Sequence, residues 1–115
     1  MTIETFLNQL ENNPESTSFQ DILAVIEANY TFTPTAFSNG NHSNKERENN
    51  GSCKIFAFAQ LNQLNKLQTL ACFGSYYFED VLQNPEGTDH QNIRNFMEYG
   101  WEGIRFEKEA LSALK

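Results

Sequence analysis

Asn65-Lys66-Leu67-Gln68-Thr69-Leu70-Ala71-Cys72-Phe73-Gly74-Ser75-Tyr76-Tyr77-Phe78-Glu79-Asp80-Val81-Leu82 is the stretch on which the fold assignment turns. Its apolar positions, Leu67, Leu70, Ala71, Gly74, Tyr77, Phe78, Val81 and Leu82, cover a face wider than a surface helix needs. The spacing therefore predicts a central helix, the fourth in the chain. Asn65 with Gln68 three residues on supplies its start signal. Gly74 in mid-helix costs about 1 kcal/mol relative to alanine, a cost that fits a second element packed close to it.

Upstream, Ser52 reads as the N-cap of a third helix running from Cys53 to about residue 62, with Ile55, Phe56, Ala59 and the residues from Leu61 to Leu64 feeding the core. A first helix spans about residues 2–12 on Ile3, Phe6, Leu7 and Leu10, and Pro14 ends it. Ser18 with Asp21 starts a second, striped with Phe19, Ile22, Leu23 and Ile26, that runs to about Asn29. Downstream, Asn84-Pro85-Glu86-Gly87 is a turn. Thr88 with Gln91 caps a fifth helix carrying Ile93, Phe96 and Met97, and Gly100 stops it. Ala110, Leu111 and Leu114 form a weak terminal turn.

Two short runs alternate like strands: Tyr30-Thr31-Phe32-Thr33, closed by Pro34, and Gly103-Ile104-Arg105-Phe106. A lone strand leaves its backbone groups unsatisfied, so the two are predicted to pair. The expected fold class is α+β, mainly α-helical: about five helices with a small two-stranded antiparallel sheet, in one domain over residues 1–115. Residues 38–52 contain no apolar side chain and are bracketed by Asn39-Gly40 and Asn50-Gly51. They read as a mobile polar loop, either simply solvated or partner-binding.

Composition narrows the function classes. The 115 residues are 39% hydrophobic and 13% aromatic, with ten Phe, four Tyr and one Trp, enough for a packed core without disulfides or metals. Eight Lys+Arg against fifteen Asp+Glu give −7, which disfavours nucleic acid, since binding it needs clustered cations. No stretch approaches a membrane-spanning length, and the start has neither a basic n-region nor a continuous apolar h-region. Cys53 and Cys72 form no Cys-x-x-Cys pair, which fits reduced thiols in a cytosolic setting. P-loop, Gly-x-Gly-x-x-Gly and His-Glu-x-x-His signatures are absent, so no cofactor is expected. The spacings of His42, Cys53, Cys72 and His90 match no zinc pattern, so no metal is expected either.

Three residues are candidates for catalysis. Cys53, in the first turn of the expected third helix and beside Lys54, would have its thiolate favoured by the helix dipole and the cation. His90 would be its base, with Asp89, Asn92 or Asp80 to orient the ring. The alternative is a buried cysteine acting as a small hydrophobe and a histidine in a helix's first turn. A groove of Tyr30, Tyr76 and Trp101, rimmed by Asn39, Lys54 and His90, is the candidate ligand site. Glu27 and Asn92, also at helix ends, complete the candidates; the alternative is core aromatics and helix caps.

Four blocks resemble the HopJ type III effector family. They are Val25-Ile26-Glu27-Ala28-Asn29-Tyr30 continuing to Gly40; Asn50-Gly51-Ser52-Cys53-Lys54-Ile55-Phe56-Ala57-Phe58-Ala59; Cys72-Phe73-Gly74-Ser75-Tyr76-Tyr77 continuing to Leu82; and Asn84-Pro85-Glu86-Gly87-Thr88-Asp89-His90-Gln91-Asn92-Ile93 continuing through Gly100-Trp101. The resemblance covers about residues 19–111. It implies a bacterial protein, resident in the cytoplasm or exported by a type III secretion machine, and brings no catalytic residue, cofactor or activity with it. The expected function is that of a small acidic interaction or binding protein, a monomer acting on a protein or small-ligand partner. The alternative is a small cytosolic enzyme or ligand-binding protein using a pocket around Cys53, Lys54 and His90.

Overall fold

The computed structural model describes residues 2–114. In chain order it contains α1 (Ile3–Asn12), α2 (Phe19–Asn29), β1 (Tyr30–Phe32), β2 (Phe37–Asn39), β3 (His42–Asn44), α3 (Asn50–Leu61) and α4 (Lys66–Ala71). A π-helix (Tyr76–Val81), α5 (Gln91–Tyr99), β4 (Ile104–Phe106) and β5 (Leu111–Ala113) follow. Short 3₁₀ turns occupy Pro14–Ser16 and Gly100–Gly103. The fold is α+β and mainly helical, as the periodicities imply.

Two of the four expected caps form, at Ser18 and Asn65, and Thr2 caps α1 as well. Ser52 and Thr88 do not cap, because α3 and α5 begin at Asn50 and Gln91 behind the left-handed residues Asn49 and His90. Thr2 Oγ1 accepts from Thr5 N at 3.0 Å, and Ser18 Oγ accepts from Asp21 N at 3.0 Å. Asn65 and Gln68 close a reciprocal capping box, at 2.8 and 3.0 Å. α1 then turns Phe6 and Leu10 into the core, and α2 adds Ile22, Val25 and Ile26.

The central helix is α3, not the 65–82 stretch. Cys53 and the consecutive residues Ile55, Phe56, Ala57, Phe58 and Ala59 are all buried, so α3 is enclosed on nearly every side. The Phe56 ring meets Phe96, Phe73 and Phe37 at centroid distances of 5.0, 5.5 and 6.1 Å. The 65–82 stretch instead leaves Leu67 71% and Leu82 45% exposed and breaks at Gly74. Gly74 has φ +61°, and a Cβ there would lie 3.0 Å from the Phe19 amide nitrogen and 3.1 Å from the Thr17 carbonyl oxygen. A second element does pack close, as its cost implied, and it ends α4 instead of crossing a continuous helix. Beyond the break the chain restarts as a π-helix, with the Leu82 amide bonding to the Tyr77 carbonyl five residues back.

The sheet pairing also differs from expectation. Both predicted strands form, but not with each other. β1 pairs antiparallel with β5, Tyr30 opposite Ala113 and Phe32 opposite Leu111. β4 pairs with β2, Asn39 opposite Ile104 and Phe37 opposite Phe106, in a three-stranded sheet ordered β3-β2-β4. The terminal turn is thus a strand whose Leu111 is buried. Residues 38–52, expected as a mobile loop, hold most of the β2–β3 hairpin and the first turn of α3. Gly40, with φ +63° at the first central position of the two-residue turn, makes that hairpin possible. The hairpin escapes an apolar-pattern reading because two of its inward residues, Asn39 and Asn44, are polar and buried.

Candidate functional site

α3 and α5 start differently from α1, α2 and α4. Each follows a left-handed residue, Asn49 (φ 53°, ψ 48°) and His90 (φ 50°, ψ 53°), and neither residue's side chain caps its helix. The helical ladders begin with Cys53 N donating to Asn49 O at 3.0 Å and Arg94 N to His90 O at 3.1 Å. The amides of residues 50–52 and 91–93 precede those bonds and so carry the unpaired positive ends of the two helix dipoles.

An asparagine network ties the two starts together. Asn39 Nδ2 donates to Asn92 O (2.8 Å) and Oδ1 (3.0 Å), while Asn92 and Asn44 exchange amide bonds at 3.0 and 3.1 Å. Asn49 Nδ2 donates to Asn44 Oδ1 at 2.7 Å, which brings the α3 start into the same network. Asn95 Nδ2 donates to Asn39 O at 2.8 Å. Buried amides need such partners, and here they lock hairpin and helix in register. The buried Asn39 Oδ1 has no partner among the described residues.

Between the two starts opens a cavity of about 300 Å³. Phe19, Phe73 and Ile93 form its apolar wall, and His42, Asn49, Ser52, Tyr76, His90, Gln91 and Asn92 supply polar groups. His90 Nε2 lies 3.0 Å from Asp80 Oδ2 and 3.8 Å from Asp89 Oδ2. The Tyr76 ring sits 5.1 Å from the imidazole and meets Phe19 edge-on, also at 5.1 Å. Arg94 secures the preceding turn, with Nη2 donating to Asp89 Oδ1 at 2.6 Å and Nη1 to Asn84 O at 2.9 Å. That bond holds the Asp89 carboxyl below its ordinary range.

Of the sequence candidates, Tyr76, Asp80, His90 and Asn92 come together here, and Asn39 joins them through Asn92. The others lie elsewhere. Because α3 starts three residues earlier than Ser52 implied, the Cys53 amide is already in the helical ladder and its side chain lies in the core. Sγ sits 3.9 Å from Thr35 O, and burial pushes the thiol up to about 11, the opposite direction to that expected of a nucleophile. Lys54 Nζ lies over the Phe32 ring at 4.9 Å. Tyr30 Oη accepts from Asn62 Nδ2 at 3.2 Å, and Trp101 Nε1 donates to Leu64 O at 3.0 Å. Glu27 is exposed on α2. The cavity that holds Tyr76 and His90 is not lined by Tyr30, Trp101, Cys53 or Lys54. Sequence spacing brings His42 forward only as a metal ligand and Ser52 only as a cap, and it gives no sign of Asn44, Asn49 and Asn95 as network members. The signal for them is instead Gly40-Asn41, a two-residue hairpin turn inside the polar stretch 38–52.

Among the described residues no three His, Cys, Asp or Glu side chains converge as metal ligands, and no helix is long and apolar enough to cross a membrane. The chain matches no curated protein. A crystal structure described as that of the unknown function protein VPA0580 is 60% identical, with a TM-score of 0.97, over 99% of this chain and 95% of that one. The family model described as HopJ type III effector protein matches residues 3–111. The chain therefore belongs to the HopJ type III effector protein family.

Proposed function

We propose that the protein is a small-ligand-binding protein that takes an anionic group into the cavity between the α3 and α5 starts. One observation carries this reading: two imidazoles and two uncapped helix N-termini border one cavity in a chain whose net charge is −7. Uncapped amides at a helix start favour an anion, and two converging starts reinforce each other. With His90 Nε2 engaged by Asp80, Nδ1 is the ring nitrogen left for a ligand. Phe19, Phe73 and Tyr76 would receive the uncharged part of the molecule.

The test titrates inorganic phosphate and, separately, succinate into the protein while following the imidazole proton resonances. Saturable shifts at both His42 and His90, with affinity reduced about tenfold in His90→Ala, are expected. Linear, non-saturating shifts that are identical in His90→Ala would sink the proposal. A second reading, an enzyme with His90 as general base, is favoured by the 3.0 Å His90–Asp80 pair at the same cavity. Asp80→Asn separates the two, because it would abolish turnover and leave anion binding in place. Family membership also supports delivery through a type III secretion apparatus. Fractionation of the native cells with and without a working apparatus checks that part.

A further inference from the structure

A second concavity, of about 380 Å³, lies between the end of α1, the Pro14–Ser16 turn, α4 and the π-helix. Leu10, Leu67, Ala71, Tyr77 and Phe78 make it chiefly apolar, and Leu67, 71% exposed, stands at its edge. Continuous with the groove, the leucine extends the apolar area that a partner can cover. The charges around it have one sign. Glu11 and Glu15 line the groove, and Glu4, seven residues before Glu11, falls on the same face of α1. Among the described residues no Lys or Arg lines it, and neighbouring Lys66 extends instead towards Gly100.

We infer that this groove docks a basic amphipathic helix of a partner protein, its leucine-like face against Leu67, Tyr77 and Phe78 and its lysines or arginines over Glu11 and Glu15. The groove-and-helix arrangement supplies the affinity through burial, and the acidic rim selects the partner's charge. A second copy of this chain is a poor occupant, because it too carries −7 and would set acid against acid. An anionic lipid surface is disfavoured for the same reason.

The experiment uses the full chain, isotope-labelled, titrated with a designed Leu/Lys amphipathic helix and with a Leu/Glu helix of identical apolar positions. The Leu/Lys helix should shift the amides of Glu11, Glu15, Leu67, Ala71 and Tyr77, and the Leu/Glu helix should bind at least tenfold more weakly. Glu11→Lys with Glu15→Lys should weaken Leu/Lys binding about tenfold, whereas Glu27→Lys with Glu102→Lys, the same charge change elsewhere, should alter it less than threefold. Leu67→Lys, checked for an unchanged melting temperature, should abolish it. The proposal is overturned by equal binding of both helices, by shifts centred outside the groove, or by equal losses in the two charge variants. Concentration-dependent dimerisation that Leu67→Lys removes, or preferential binding to anionic vesicles, overturns it as well.

Discussion

Three helix starts in this molecule are finished locally and two are not. α1, α2 and α4 carry Thr2, Ser18 and Asn65 at their N-caps, each in extended backbone with its side chain bonded into the first turn. α3 and α5 carry Asn49 and His90 in the left-handed region, which costs a residue with a Cβ roughly 1 kcal/mol, and leave the cap unmade. The unfinished pair borders the polar cavity; the finished ones are closed by their own sequence. Caps that would stabilise are missing where a ligand could take their place, the usual relation between local strain and a working site.

The contrast can be broken most severely through the asparagine network that holds the unfinished starts. Asn92→Ala removes acceptors from Asn39 and Asn44 and a donor from Asn44. A loss of about 3 kcal/mol is expected, read as a fall of roughly 10 °C in melting temperature. At the finished starts, Ser18→Ala and Asn65→Ala should each cost about 1 kcal/mol in chemical denaturation and leave any cavity ligand unaffected. If either altered anion binding, the division between the two kinds of start would fail.

His90→Gly tests the other side. It relieves the left-handed strain and forfeits the partly exposed pairing with Asp80 and the weaker contacts with Asp89 and the Tyr76 ring, so stability should rise by about 0.5 kcal/mol while phosphate affinity falls about tenfold. A stability loss of similar size would mean the histidine is structural. The smallest effect concerns Asp89. Arg94 lowers its carboxyl below the ordinary value of 3.8, so the pairing supports the fold above that value and is lost as pH falls through the lowered one. Asp89→Asn should therefore flatten the pH dependence of the denaturation midpoint below about pH 4 and leave its salt-insensitive part unchanged.

Much of the architecture was legible because it rests on local chemistry. Ser18 with Asp21 and Asn65 with Gln68 mark helix starts without reference to anything distant. Residues 65–82 misled because periodicity cannot see Gly74 lying 3.0–3.2 Å, at its Cβ position, from the backbone of residues 17–19. The strand runs 30–33 and 103–106 were found, yet their partners were not, since pairing is a contest among all available edges. At the candidate site, Tyr76, Asp80, His90 and Asn92 were within reach of reading, whereas Cys53 was misjudged by a helix boundary wrong by three residues. A shift of that size moved its amide out of the unpaired first turn and put its sulfur in the core.

The amino-acid order alone settled the helical class, three of the five helix starts, many of the core's apolar residues and membership of the family, because each depends on composition or on contacts a few residues apart. Which helix is central, how the five short strands pair, and that Asn39, Asn44, Asn49 and Asn92 meet beside two histidines were decided only on folding. Those outcomes depend on packing and buried hydrogen bonds between segments about fifty residues apart, and no local pattern encodes which distant amide will satisfy which.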